Sequence, residues 1–174
     1  SLRLIPSSLD YFQSLRRREC DLVITPLIPQ DPLDIYSVPL FNDDARCFYD
    51  PKVLTADEVK LNFSNLPHAS VRFSLSRTPI DTRYLEEHGI KRFVKLEVPS
   101  FEALPQLMRG STLIAVLPSR LAASLFQGFE HIPLPCAFPT VSFNMVWHKA
   151  THHSPIHQWF RDTVRSTVAE NIVD

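Results

Sequence analysis

The sequence predicts an α/β fold built on more than one sheet, and three observations carry that expectation. Residues 69–128 read strand, helix, strand, helix, strand, helix, with each helix closed by a glycine (Gly89, Gly110, Gly128). That alternation argues for a parallel sheet with helices on its faces. Leu9 to Leu27 (LDYFQSLRRRECDLVITPL) reads as a short amphipathic helix, a tight turn and a buried β-branched strand, which is half of a βαβ unit. Ile35 to Tyr49 reads as two extended runs broken by Asn42-Asp43-Asp44, the pattern of a chain leaving one sheet for another.

Each element has a local reason. Leu2 to Pro6 alternates weakly and is read as a short strand ended by proline. Ser8 is placed to cap the helix carrying Leu9, Phe12 and Leu15, because a hydroxyl can accept a bond from a free first-turn amide. Asp21 to Thr25 is the buried strand, and residues 26–34 form a proline-rich loop. Thr55-Ala-Asp-Glu has the spacing of a capping box and starts a helix to about Phe63. Strands follow at 69–74, 92–98 and 113–118, with helices at 80–88, 101–109 (capped by Pro99-Ser100) and 120–126 (capped by Ser119). Residues 129–134 and 141–148 are the last strands. Ser154-Pro155 then opens a final helix with Ile156, Trp159, Phe160, Val164 and Val168 on one side, proline being well placed where its missing N–H has no partner.

Composition narrows the function. A chain of 174 residues can hold one large domain or two small lobes, and 44% hydrophobic with 21% charged residues is ordinary for a folded domain. A net charge of −1 argues against a free-standing nucleic-acid binder, which would be more basic. No run approaches the ~20 apolar residues that span a bilayer, and no signal-peptide pattern opens the chain. Three separated cysteines fit reduced thiols in the cytoplasm better than a disulfide framework. The chain begins at Ser1 inside an apparent strand, which reads as a piece of a longer protein.

Candidate chemistry is sparse. His148, His152, His153 and His157 lack the glutamate of a zinc-hydrolase helix and read as surface histidines. Cys20 lies beside a buried strand with no positioned base, and a buried inert thiol is the simpler reading. Asp43-Asp44 and Glu86-Glu87 read as solvated charges, and Arg16-Arg17-Arg18 as a helix terminus favoured by the dipole. No glycine-rich phosphate loop is present. What recurs is a small polar residue after a strand: Ser7 and Ser8, Thr25 before Pro26, Ser74 to Thr78 (including Ser76), and Ser100 before Phe101. Strand carboxyl ends and helix N-termini are where open α/β sheets hold ligands, and Arg77 could add a bidentate anion contact. The set contains no acid, base or nucleophile in position, so it says binding rather than catalysis. No catalytic residue, metal or cofactor is expected.

Several stretches resemble the effector-binding domain of LysR-type transcriptional regulators. Leu15 to Ile24 (LRRRECDLVI) is similar to that family's helix-to-strand signature, and Leu40 to Pro51 to its crossover strand. Leu113 to Ala122 is similar to its "gia.lP..la" segment, and Phe143 to His148 with Ser154-Pro155 and Trp159 to Arg161 to its returning strand and last helix. The wording of the crossover and of Trp147-His148 resembles the subgroup that senses aromatic compounds or flavonoids. The resemblance implies two Rossmann-like lobes joined by two crossing strands, the type 2 periplasmic-binding-protein-like fold. Lobe one would be residues 1–42 and 141–174, and lobe two residues 43–140. It implies a small aromatic or carboxylated effector in the inter-lobe cleft, held by Ser7, Ser8, Thr25, Pro26, Ser74, Ser76, Arg77, Thr78, Ser100 and Phe101. It also implies a homodimer or tetramer, a cytoplasmic location, and DNA contact only through a winged helix-turn-helix outside this chain. A periplasmic-type solute-binding protein is the alternative, and a small-molecule enzyme using cysteines or histidines the third. Two departures stand out: Arg18 replaces the signature's glycine, and the family's first strand and long helix are lacking.

Overall fold

The computed structural model describes residues 2–5, 11–27, 33–72 and 78–172. In chain order the elements are α1 (Tyr11–Arg16), β1 (Val23–Thr25), β2 (Ile35–Asp43), β3 (Ala45–Tyr49), α2 (Ala56–Asn62), β4 (Pro67–Val71), α3 (Ile80–Glu87) and β5 (Phe93–Val98). They continue with α4 (Leu104–Met108), β6 (Ile114–Pro118), β7 (Glu130–Ile132), β8 (Val141–His148) and α5 (Pro155–Asn171). The chain divides into two units, Ser1–Asn42 with Val141–Asp174, and Asp43–Thr140.

The second unit is a five-stranded sheet in the order β5-β4-β6-β3-β7. β4 is parallel to both β5 and β6, whereas β3 runs antiparallel to β6 and β7. Successive strand residues face opposite sides, so the sheet feeds two cores. Cys47, Tyr49, Ile114 and Val116 pack with Val59 and Phe63 of the α2 region and Leu85 of α3. Phe48, Ala115 and Leu117 pack on the other side with Leu104, Met108 and Phe126. A sheet covered on both faces needs near-continuous apolar strands, which is why LIAVLP is unbroken. α2 starts in the expected capping box: the Thr55 hydroxyl accepts from the Glu58 amide (3.3 Å), and the Glu58 carboxylate accepts from the Thr55 amide (2.7 Å). The helices expected at 101–109 and 120–126 are partly different. The first opens as a 3-10 turn (Phe101–Ala103) before α4, and the second is a 3-10 turn (Ser119–Ala123) only.

The first unit is a three-stranded sheet in the order β1-β8-β2. α1 covers one face, with Tyr11 and Leu15 packed on Val23, Ile35 and Val146. β1 is shorter than expected and pairs antiparallel with β8 rather than lying in a parallel sheet, and Ile24 is half-exposed. β8 comes more than a hundred residues later, so no local pattern could announce it. Leu2 to Ile5 form no strand and are exposed, since an extended run becomes a strand only when another strand takes its hydrogen bonds.

α1 ends in a Schellman arrangement, the Glu19 amide donating to Ser14 O (2.9 Å) and the Arg18 amide to Leu15 O (3.2 Å). That closure needs a left-handed residue, and Arg18 supplies it with φ 59°. The position where the signature has glycine therefore keeps the glycine conformation without the glycine. Arg16, beside it, forms a bidentate pair with Asp34 (2.8 and 3.0 Å).

α5 corrects the expected buried face. Ile156 and Trp159 are exposed, and the inward stripe is His157, Arg161, Val164 and Val168, spaced i, i+4, i+7 and i+11. Two of those four are polar, so an apolar pattern alone places the face wrongly. His157 is buried rather than a surface histidine. Its Nε2–H donates to the Asp21 carbonyl (2.9 Å), which leaves Nδ1 to accept from Arg161 Nη1 (2.6 Å).

Candidate functional site

In the second unit, β4, β5 and β6 are parallel, so their carboxyl ends at Val71, Val98 and Pro118 share one edge of the sheet. Ser74, Ser76 and Arg77 follow β4 and lie outside the described residues. Thr78 is exposed ahead of α3. Ser100 stands in extended backbone (φ −151°) at the cap position of the turn that leads into α4. Its hydroxyl makes no cap bond, contrary to expectation; it bonds instead to Glu102, and that bond holds the Glu102 carboxyl below its usual range. Phe101 is half-buried against the core of α4.

Asp43 belongs to this edge and is not the solvated charge its sequence context suggests. It is buried, accepts from the Ser119 hydroxyl (2.6 Å), and faces the Arg120 amide (3.4 Å). It thereby ties the end of β2 to the turn after β6. The adjacent Asp44 is also engaged, accepting from the Thr140 hydroxyl (2.7 Å). The antiparallel pairing of β3 on β6 brings these carboxylates to the parallel strands' ends, a consequence invisible in the Asn-Asp-Asp string itself.

In the first unit, Ser7 and Ser8 lie outside the described residues. Thr25 ends β1, is 4% exposed, and accepts from the Leu27 amide (3.1 Å), so its hydroxyl shapes the turn that carries Pro26. Across the ladder from Thr25 stands Asn144, 3% exposed, whose Nδ2 donates to the Ser142 carbonyl (2.9 Å). The sequence signal for Asn144 is only a lone amide inside the apolar run VSFNMVWH. The buried pair Thr25 and Asn144 makes a polar end on the α1 side of the sheet.

The thiols are poorly placed for nucleophilic chemistry. Burial pushes Cys47 up to about 12, and burial with Asp21 and Glu19 beside it raises Cys20. Among the described residues, no group of three or more histidine, cysteine or acidic side chains could hold a metal ion, and no helix is long and apolar enough to cross a membrane.

Comparison with known proteins supplies the context. The model of the LysR substrate binding domain family matches residues 1–169. Nodulation protein D 3 of Rhizobium leguminosarum bv. phaseoli is 33% identical over 178 residues, covering 93% of this chain and 55% of that protein. NahR of Pseudomonas putida, an HTH-type transcriptional activator, is 28% identical over 160 residues, covering 89% and 53%. The chain thus spans about half the length of the curated relatives it matches. Among solved structures, the regulatory domain of CcmR from Synechocystis PCC6803, in complex with 2-PG, superposes with a TM-score of 0.73 at 17% identity, covering 91% of this chain and 78% of that one. The shared fold is the type 2 periplasmic-binding-like α/β fold, and the transcription-regulator relatives favour a regulatory domain over a solute-binding protein. The chain belongs to the LysR substrate-binding domain family, the regulatory domains of LysR-type transcriptional regulators.

Proposed function

We propose that this domain binds a small aromatic or carboxylated effector and passes the binding event to a winged helix-turn-helix elsewhere in the whole regulator. The family match across residues 1–169 carries the reading, and the polar strand ends support it. The contacts we assign are Thr25 and Pro26 with Ser7 and Ser8 in residues 1–42, and Ser100, Phe101, Thr78, Ser74, Ser76 and Arg77 in residues 43–140. On this reading the two units are the regulatory lobes, and the protein works in the cytoplasm as a homodimer or tetramer. An effector can act this way only if it binds one arrangement of the protein better than another.

The test uses the full-length regulator at its own promoter. Ser100→Leu should abolish the effector response while operator binding without effector persists. Thr25→Val, which exchanges the hydroxyl for a methyl of similar size, should weaken the response. Unchanged induction in both variants would overturn the assignment.

A further inference from the structure

α3 begins without the side-chain cap that begins α2. Its cap residue is Pro79, whose side chain makes no hydrogen bond, and Ile80 at its first position is exposed. What holds this helix start is Arg92, from the turn ahead of β5. Arg92 Nη1 lies 2.9 Å from Asp81 Oδ2, as an ion pair rather than a directed hydrogen bond. Its Nη2–H donates to the Thr82 hydroxyl, so one planar fork meets two consecutive residues of the first turn. The Asp81 carboxylate is also favoured there by the helix dipole.

Burial makes this attachment stiff. The Arg92 side chain is 2% exposed, against 21% for Asp81, and among the described residues its Nε has no partner. Its charge also acts on His68 of β4 and Cys47 of β3, although burial dominates the titration of both. A buried cation that loses its anion is strongly destabilising, so a displacement of Asp81 away from Arg92 is opposed steeply. The chain between Val71 and Ile80 is thus tied at both ends, at one by the ladder of β4 with β5 and at the other by Arg92. It carries Ser74, Ser76, Arg77 and Thr78, assigned above to the effector.

We propose that Arg92 is the positioning residue of this segment. Through Asp81 and Thr82 it sets where α3 begins, and so where Thr78 and the residues before it stand to meet a ligand, without itself touching that ligand. The segment's contact with a ligand rests on the effector reading above, whereas its attachment to Arg92 does not.

The test follows hydrogen exchange by mass spectrometry in the full-length regulator, with benzoate as the probe carboxylate. Arg92→Met keeps a buried stem and removes the charge, a replacement that cores often accept. It should speed exchange in peptides spanning residues 74–84 by about tenfold or more, while peptides of β4 and β6 are unchanged. Arg92→Lys, which keeps the charge and lacks the fork, should fall between. Thr82→Ala, at a half-buried position, should speed the same peptides by less and add nothing to Arg92→Met, because both remove one contact. Benzoate should protect residues 74–84 in the native chain. Half-protection of Arg92→Met should need about fivefold more, as the competent fraction falls, with equal protection at saturation and unchanged operator affinity. Native exchange at residues 74–84 in Arg92→Met, equal acceleration of β4 and β6, additive effects of the two substitutions, or an equal benzoate requirement would each overturn the proposal. Benzoate that protects no part of the native chain counts against the effector reading, and the benzoate-free comparison then decides Arg92 as the anchor of α3.

Discussion

Protonating His68 should unfold the second unit. This side chain sits in β4 with 0% of its surface exposed, its Nε2–H donating to the Phe63 carbonyl (2.8 Å) and its ring edge-on to Phe63. Among the described residues its Nδ1 has no partner, so a charged imidazolium would bury a second N–H with none of them to receive it. Burial chiefly holds its pKa at about 4 instead of 6.5, with the Arg92 cation pushing the same way and the Phe63 bond opposing. The folded pKa lies below the unfolded one, so the unfolded chain binds the extra proton. Stability is then intact above about pH 6.5 and is lost as pH falls toward 4. The gap between 6.5 and about 4, at about 1.4 kcal/mol per pH unit, corresponds to roughly 3 kcal/mol in full, of which about 2 kcal/mol is gone by pH 5. The measurement is a series of urea midpoints between about pH 4.5 and 7.5 for the native chain and for His68→Gln, whose amide can still donate to Phe63 but cannot charge. The native midpoint should fall steeply below pH 6 and the variant's should fall less. Parallel curves for the two proteins would refute the reasoning, because other histidines and the carboxylates contribute equally to both.

Two further substitutions test particular geometries. Arg18→Gly should stabilise the first unit by about 0.5–1 kcal/mol, since a side chain at φ 59° costs more than glycine's extra unfolded-state freedom, whereas Arg17→Gly in the same turn should not; thermal midpoints decide. Asp43→Ala should cost the second unit about 2 kcal/mol by orphaning the Ser119 hydroxyl and the Arg120 amide, and Asp43→Asn should restore much of it, read from urea midpoints and the exchange rate of the Arg120 amide.

These three positions also mark where the sequence was and was not readable. The second unit was largely legible because its order is local: Thr55 and Glu58 announce α2, glycines at φ 70–83° end α3, α4 and the turn after β6, and unbroken apolar runs announce strands covered on both faces. The first unit was less so because its sheet is closed by β8, whose register with β1 no neighbouring residue encodes. Thr25 and Ser100 could be found as polar residues at strand ends. Asn144, Asp43 and Arg161 could not be assigned, because what they do depends on which group the fold sets opposite them. Each is a polar residue in or beside an apolar stretch, and that signal alone does not separate structure from function. Partners do. Asp43 meets a hydroxyl and an amide, and His157 uses both ring nitrogens, so burial of each is accounted for within the fold. Arg161 gives its N–H groups to His157 Nδ1 and the His152 carbonyl and lies over the Trp147 ring, so its burial too is accounted for within the fold.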